Sequence, residues 1–155
     1  MKQIILDTNL LVLLIVGLTD CHLIGKHKRT RSFEVADYDL LVNALSMYDE
    51  IVVTPHILTE TSNLIAQTAE SVALSLRRTL SELLKTQREE FEPSFDVIKH
   101  NSFLRLGLTD SAIMCLVEKN IPLITVDLDL YLAAVKHHPN VFNFTHLRQA
   151  RMFGS

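Results

Sequence analysis

The stretch QIILDTNLLVLLIVGL, residues 3–18, decides the fold class. Its first four residues predict a short buried strand at Gln3–Leu6, because they form a compact apolar run. Residues 7–9 are types that cap helices, and residues 10–16 are apolar all round, as in a helix buried on most sides. We expect that helix to stop at Gly17. The chain therefore opens with a buried strand followed directly by a buried helix.

The apolar run at residues 10–18 also resembles the core of a secretion signal. It is far shorter than the ~20 residues that span a bilayer. Asp7 and Asn9 precede it, and Thr19-Asp20 before Cys21 is a poor cleavage site. Neither Cys21 nor Cys115 belongs to a CxxC pair, so no zinc motif is present. These features favour a cytoplasmic protein with no membrane partner.

The length and charge of the chain limit its domain count and its partners. A chain of 155 residues with 48% apolar content suits one domain, placed here at residues 1–150 with a tail at residues 151–155. The formal net charge is −3, whereas proteins that bind nucleic acid through non-specific phosphate contacts are usually basic. Any contact with nucleic acid must therefore be local, or metal ions must supply positive charge.

Apolar runs and helical patterns alternate along the rest of the chain. Further strands are predicted at residues 51–53, 122–126 and 141–144, with a short one at 95–98 as an alternative. Helices are predicted at residues 37–47, from Thr54-Pro55, at 69–90, at 109–119 and up to His138. This alternation predicts an α/β fold, with a mostly parallel central sheet and helices on both faces. Ligands of such sheets bind beyond the carboxyl ends of the strands.

Residues 19–36 lack a periodic pattern and predict an exposed loop. Its basic side chains are Lys26, Lys28, Arg29 and Arg31. They are either RNA contacts or a solvated surface, and both interpretations stay open. The salt dependence of binding would separate them, because phosphate contacts release counterions.

Several aspartates stand after predicted strands or at the starts of predicted helices. Asp7 and Asp127 each follow a predicted strand, although either could be a simple helix cap. Asp110 leads the apolar stripe of its helix, and Thr109 is available as the cap. Asp129 is an alternative to Asp127 as the candidate ligand after the strand at residues 122–126.

Glu60 is the most informative of these residues. It lies between Ile57 and Leu64 at the margin of a buried helix face. Burying an unpaired charge costs several kcal/mol, so a nearby cation would explain its position. The alternative is a partly exposed glutamate whose stem covers apolar surface.

Carboxylates that converge from separate elements would repel one another. At ~4 Å and an effective dielectric constant of ~20, each pair costs about 4 kcal/mol. Such a cluster requires divalent cations, or protonation of some members. Oxygen ligands without cysteine or histidine favour Mg²⁺ or Mn²⁺, and two such ions about 4 Å apart can activate water for phosphodiester cleavage.

Four short motifs resemble those of the PIN-domain family. They are Ile4-Ile5-Leu6-Asp7-Thr8-Asn9, Thr59-Glu60, Leu108-Thr109-Asp110-Ser111-Ala112 and Thr125-Val126-Asp127. Their order and approximate spacing fit across residues 3–145.

The resemblance implies a metal-dependent endoribonuclease that acts on single-stranded or structured RNA and leaves 5′-phosphate ends. It implies that the metals are held by Asp7, Glu60, Asp110 and Asp127. Thr8 and Thr125 would support these ligands through their hydroxyls, and Asn9 would orient a carboxylate. Many small bacterial members are toxins of toxin–antitoxin pairs, so the resemblance also implies a protein antitoxin and a homodimer as partners.

This sequence departs from the family pattern after Asp127. The family often has a phenylalanine three residues after this aspartate, and residues 128–131 contain none. Asp129 therefore stays an alternative fourth ligand.

Three other protein classes are alternatives to a nuclease. A phosphatase-like enzyme of the haloacid-dehalogenase type would place D-x-D after the first strand, where this chain has Asp7-Thr8-Asn9. A receiver domain would need an acidic pair there and a late lysine. A non-catalytic PIN-like module for binding RNA or protein stays open, although all four acidic positions are filled.

Overall fold

A computed structural model describes residues 1–154. Its strands are β1 (Gln3–Leu6), β2 (Glu50–Val53), β3 (Arg88–Glu89), β4 (Leu123–Thr125) and β5 (Val141–Asn143). Its helices are α1 (Thr8–Thr19), α2 (Val35–Leu45), α3 (Pro55–Ile65), α4 (Glu70–Leu84), α5 (Ser94–Val97), α6 (Phe103–Leu106), α7 (Leu108–Val117), α8 (Leu128–Ala134) and α9 (Phe144–Gly154).

The sheet is five-stranded and all its pairs are parallel, in the order β3-β2-β1-β4-β5. This confirms the predicted α/β class. The chain moves one way along the sheet from β1 to β3 and the other way from β3 to β5. Right-handed crossovers therefore place the connecting helices on opposite faces. The order reverses between β1 and β4, and ligands of open α/β sheets bind beside such a point.

Helix α1 forms the centre of the core, and its residues 10–17 are all buried. The predicted end at Gly17 is wrong, because the helix continues to Thr19. A Cβ atom at Gly17 would lie 2.2 Å from Cδ2 of Tyr38, on α2. Glycine at this position therefore allows the Tyr38 ring to pack against the α1 backbone.

The prediction of an exposed loop for residues 19–36 is only partly correct. A 3₁₀ turn at Cys21–Leu23 and the start of α2 lie within this range. The buried side chains between them are Ile24, His27, Thr30 and Phe33. His27 Nε2 lies 3.1 Å from the carbonyl oxygen of Ile65. The basic side chains are exposed as predicted, but the backbone that carries them is packed against the core.

The predicted helix at residues 69–90 is too long. Helix α4 ends at Leu84, and β3 then pairs with β2 in the register Val52↔Arg88. Gln87 Oε1 accepts a hydrogen bond from the amide of Ile51 at 2.7 Å. A two-residue exposed edge strand has no apolar pattern, so periodicity could not reveal it. The alternative strand at residues 95–98 is also wrong, because α5 occupies this position.

The predicted boundary at residue 150 falls inside α9. Arg148 Nε and Arg151 Nη2 lie 3.0 and 2.9 Å from Oδ1 of Asp37. Asp37 is fully buried on α2, so this contact attaches α9 to the rest of the domain. Residues 151–154 are therefore helical and are not a tail, and Ser155 lies outside the described residues.

No helix in the described part of the chain is long and apolar enough to span a bilayer.

Candidate functional site

Each of the two strands at the reversal point is followed, within two residues, by an aspartate that caps the next helix. Asp7 follows β1, and its Oδ1 accepts a hydrogen bond from the Leu10 amide of α1 at 2.9 Å. Asp127 caps α8 in the same way, through the Leu130 amide at 3.0 Å. β1 and β4 are hydrogen-bonded neighbours, so both carboxylates stand at one edge of the sheet.

Asp7 is almost completely buried and is held by three hydrogen bonds. Its Oδ2 accepts from the hydroxyl of Thr125 and from the Val126 amide, the latter at 2.8 Å. Burial raises the pKa of Asp7, the three hydrogen bonds lower it, and the charge of Asp127 raises it further. A carboxylate has about four acceptor positions, so one remains free, on Oδ1.

Thr125 connects the two aspartates. Its hydroxyl donates to Asp7, while its oxygen accepts from the Asp127 amide at 2.9 Å. This is the supporting contact that the resemblance implies for Thr125, and it fixes the distance between the ends of β1 and β4.

Asp110 lies on the first turn of α7 beside these residues. Its pKa is raised from 3.8 to about 7, first by burial and then by the negative charges of Asp127, Asp7 and Glu60, in that order. Three other carboxylates therefore lie within electrostatic reach of Asp110. They come from the β4–α8 junction, the β1–α1 junction and α3.

Glu60 is solvent-exposed, so the expectation of a charge at a buried helix margin is wrong and the alternative of an exposed glutamate is correct. It is nevertheless held beside this cluster. Its Oε2 accepts a hydrogen bond of 2.6 Å from the hydroxyl of Thr109, the residue before Asp110. The expectation that Thr109 caps α7 is therefore wrong. Gly107 occupies the cap position with φ +86°, a conformation that suits glycine.

Asp129 does not belong to the cluster. Its side chain is exposed, and its Oδ1 lies 3.5 Å from Nη2 of Arg105. The structure thus separates the two alternatives, because Asp127 affects the pKa of both Asp7 and Asp110 and Asp129 affects neither.

Thr8 and Asn9 do not make the contacts that the resemblance implies. The Thr8 hydroxyl oxygen is buried without a hydrogen-bond partner within residues 1–154. Asn9 is exposed on the wall of a separate cavity, and in the described residues it donates to no carboxylate. Lys28 and Arg29 line that same cavity, whereas Lys26 and Arg31 do not.

The donor set fits Mg²⁺ or Mn²⁺ in its chemistry, since all four side chains offer hard oxygen atoms. Within the described residues, no three carboxylate, imidazole or thiol groups are already close enough to hold an ion. Asp7 is fixed, whereas Glu60 is exposed and Asp110 and Asp127 are half-buried. Glu60 and Asp127 each use one carboxylate oxygen in the hydrogen bonds described above, so their second oxygens are the atoms that would face an ion beside Asp7.

A cavity of about 410 Å³ opens beside Glu60 and Thr109. Its wall includes His56 and Phe91, and the ring of Phe91 is 72% exposed. Sequence reasoning missed Phe91 because it lies in an irregular segment without periodicity. It also missed the Val126 amide, since backbone donors have no residue-type signature.

No protein-family model matches the sequence, and no curated protein matches it. The function is therefore inferred from the motifs and from the geometry of the site.

Proposed function

We propose that this chain is a Mg²⁺- or Mn²⁺-dependent endoribonuclease. The observation that carries the proposal is that carboxylates from separate elements meet where the strand order reverses: Thr125 hydrogen-bonds both Asp7 and the Asp127 amide, and beside them lies the half-buried Asp110. Carboxylates from three other parts of the chain raise its pKa, after burial has raised it, to about 7. A protein gains no stability from such repulsion, so we infer that the cluster is kept because it binds divalent cations.

The side chains of the cluster differ in how many hydrogen bonds they accept, and this suggests separate roles. Asp7 is held by hydrogen bonds from α1, β4 and the residue after β4, so it would be a rigid ligand. Asp110 and Asp127 would complete the inner site, and Glu60 would close its solvent side. Bound divalent ions would supply a water of lowered pKa and stabilise charge on the phosphate.

One feature of the structure supports single-stranded RNA as the substrate, and the charge of the chain limits how that RNA could be held. The chain carries a net charge of −3, so the substrate must be held locally rather than by a generally basic surface. The exposed ring of Phe91 lies on the wall of the cavity that includes Glu60. Aromatic rings stack on bases with about 1–3 kcal/mol each, and only unpaired bases can reach such a ring. The resemblance to PIN domains implies the same substrate class.

The proposal is tested by incubating the purified protein with single-stranded RNA and Mn²⁺. We expect cleavage that EDTA abolishes, and a loss of about 100-fold or more in Asp7→Asn. Asp129→Asn is the matched control, because it removes an exposed carboxylate two positions from Asp127 and outside the cluster. It should cleave like the wild type.

Two results would contradict the proposal. Equal cleavage by Asp7→Asn and the wild type would show that this cluster is not the active site. If the protein bound RNA but failed to cleave it with every divalent ion tested, a non-catalytic binding module would be favoured instead.

A further inference from the structure

A second cavity, of about 340 Å³, adjoins the carboxylate cluster. Its lining includes Val126, whose amide binds Asp7, and Asn9, which follows Asp7 by two positions on α1. The same two strand–helix junctions therefore form both the acidic site and a wall of this cavity. The remaining wall comes from residues 26–33, here called the basic segment, and from α9. It includes Lys28, Arg29, Ser32 and Arg148.

This cavity has a positive charge in a chain that is acidic overall. Three of its lining residues are cationic, and in the described part of the chain none is a carboxylate. Arg148 shares the single carboxylate of Asp37 with Arg151, so one positive charge there is not neutralised. Lys28 and Arg29 form no ion pair within residues 1–154, and Arg29 Nε donates to Gln67 Oε1 at 2.7 Å.

We propose that this cavity binds a backbone phosphate of the RNA strand, next to the phosphodiester at the carboxylate cluster. The inference rests on the proposed nuclease function, because that function places a strand across the junctions. Ammonium, guanidinium, amide and hydroxyl groups are the side-chain donors that proteins direct at phosphate oxygens. Asn9 is exposed and lines the cavity, so its side-chain amide would be such a donor.

The basic segment contains its own control. Lys28 and Arg29 line the cavity, whereas Lys26 and Arg31 are equally exposed and do not. Lys28→Ala/Arg29→Ala and Lys26→Ala/Arg31→Ala each remove two positive charges from one short stretch. A general electrostatic effect would weaken RNA binding equally in both variants. Loss of a phosphate site would weaken it only in Lys28→Ala/Arg29→Ala.

The test measures the binding of a short fluorescein-labelled single-stranded RNA by anisotropy over a range of NaCl concentrations, in EDTA. For Lys28→Ala/Arg29→Ala we expect at least about 10-fold weaker binding at low salt. The slope of log K against log salt should fall by roughly 0.7 for each lost contact. Lys26→Ala/Arg31→Ala should change affinity by less than about 3-fold. Lys28→Ala alone is the second variant, because it leaves the Arg29–Gln67 hydrogen bond intact.

Equal weakening by the two double variants, or no weakening by either, would overturn the proposal. Inorganic phosphate is added as a competitor, and we expect it to displace the RNA only in large excess. Displacement at equal concentration would show a site for free phosphate and not for a strand.

Binding in EDTA does not depend on cleavage, so the two proposals can fail separately. If Asp7→Asn cleaves normally but Lys28 and Arg29 still govern binding, only the nuclease site is refuted. If Asp7→Asn is inactive and the two double variants bind alike, only the phosphate cavity is refuted.

Discussion

At the scale of single residues, the site combines Asp7, which accepts three hydrogen bonds, with carboxylates that accept one, as Glu60 and Asp127 do. Asp7 has hydrogen bonds that offset part of its burial, whereas the causes that shift the pKa of Asp110 all raise it. Ionised Asp110 is therefore destabilising in the metal-free protein. This is the arrangement expected of a cation site, because a bound cation would reverse the sign of that electrostatic effect.

The first prediction concerns the stability of the metal-free protein as a function of pH. The pKa of Asp110 is raised from 3.8 to about 7 on folding. Its contribution to stability is thus fully present below about pH 4 and is lost as the pH rises through about 7. Asp110→Asn removes this dependence, so its stability relative to the wild type should grow by roughly 2 kcal/mol between pH 5 and pH 8.5. Urea unfolding in EDTA measures the difference.

Asp129→Asn provides the control, since its carboxylate is exposed beside Arg105 and should give no such gain. Added Mg²⁺ should reduce the advantage of Asp110→Asn at pH 8.5. An identical pH dependence in Asp110→Asn and the wild type would refute the raised pKa.

At the scale of the elements, α1 connects the end of β1 to the helix α2 that packs against it. Helix α1 is buried along nearly its whole length and is capped by Asp7, so its position determines the position of a proposed ligand. α2 packs against its last turn through Gly17 and Tyr38. A shift of α1 would therefore be transmitted along the helix to the carboxylate cluster.

We predict that Gly17→Ala destabilises the protein, although alanine normally favours helices. Its methyl group would overlap the Tyr38 ring, with Cδ2 only 2.2 Å away, so α1 and α2 must separate. We expect a loss of about 1–3 kcal/mol by chemical denaturation. Gly25→Ala is the control, because a Cβ atom at that position would meet no heavy atom within 4 Å beyond its own chain neighbours.

Tyr38→Ala in the Gly17→Ala background should restore part of the lost stability, because it removes the ring that the methyl group meets. If Gly17→Ala were as stable as the wild type, the close approach of the two helices would be refuted.

At the scale of the whole molecule, the end of the chain completes the fold. Asp37 forms a capping box at the start of α2 and accepts the ion pairs from α9. These ion pairs connect residues more than 110 positions apart. They also hold Arg148 at the wall of the basic cavity, so the last helix supports the proposed phosphate site.

We predict that Asp37→Asn costs about 2–4 kcal/mol of stability, because it leaves two arginines without their buried carboxylate. Thermal or urea unfolding would measure the loss. Asp39→Asn, two positions along the same helix and exposed, should change stability by less than about 0.5 kcal/mol. Similar stabilities for the two variants would show that α9 is not held by Asp37.

The sequence alone was enough to predict β1, β2, β4 and β5, the parallel sheet and the strand-end positions of Asp7 and Asp127. These features follow from local apolar runs and from the rule that parallel strands end at one edge. It also predicted Glu60 and Asp110 as candidate ligands, since a charged residue on an apolar helix margin is a local irregularity.

Only the tertiary structure placed β3, revealed the last helix, α9, which was not predicted, and showed why position 17 is glycine. It also separated Asp127 from Asp129, placed Asn9 on the wall of a different cavity and divided the basic segment into two pairs. Each of these features depends on a contact with a distant part of the chain, such as Ile51 for Gln87 or Asp37 for Arg151. A local pattern records which face of an element is apolar, but it does not record which partner meets that face.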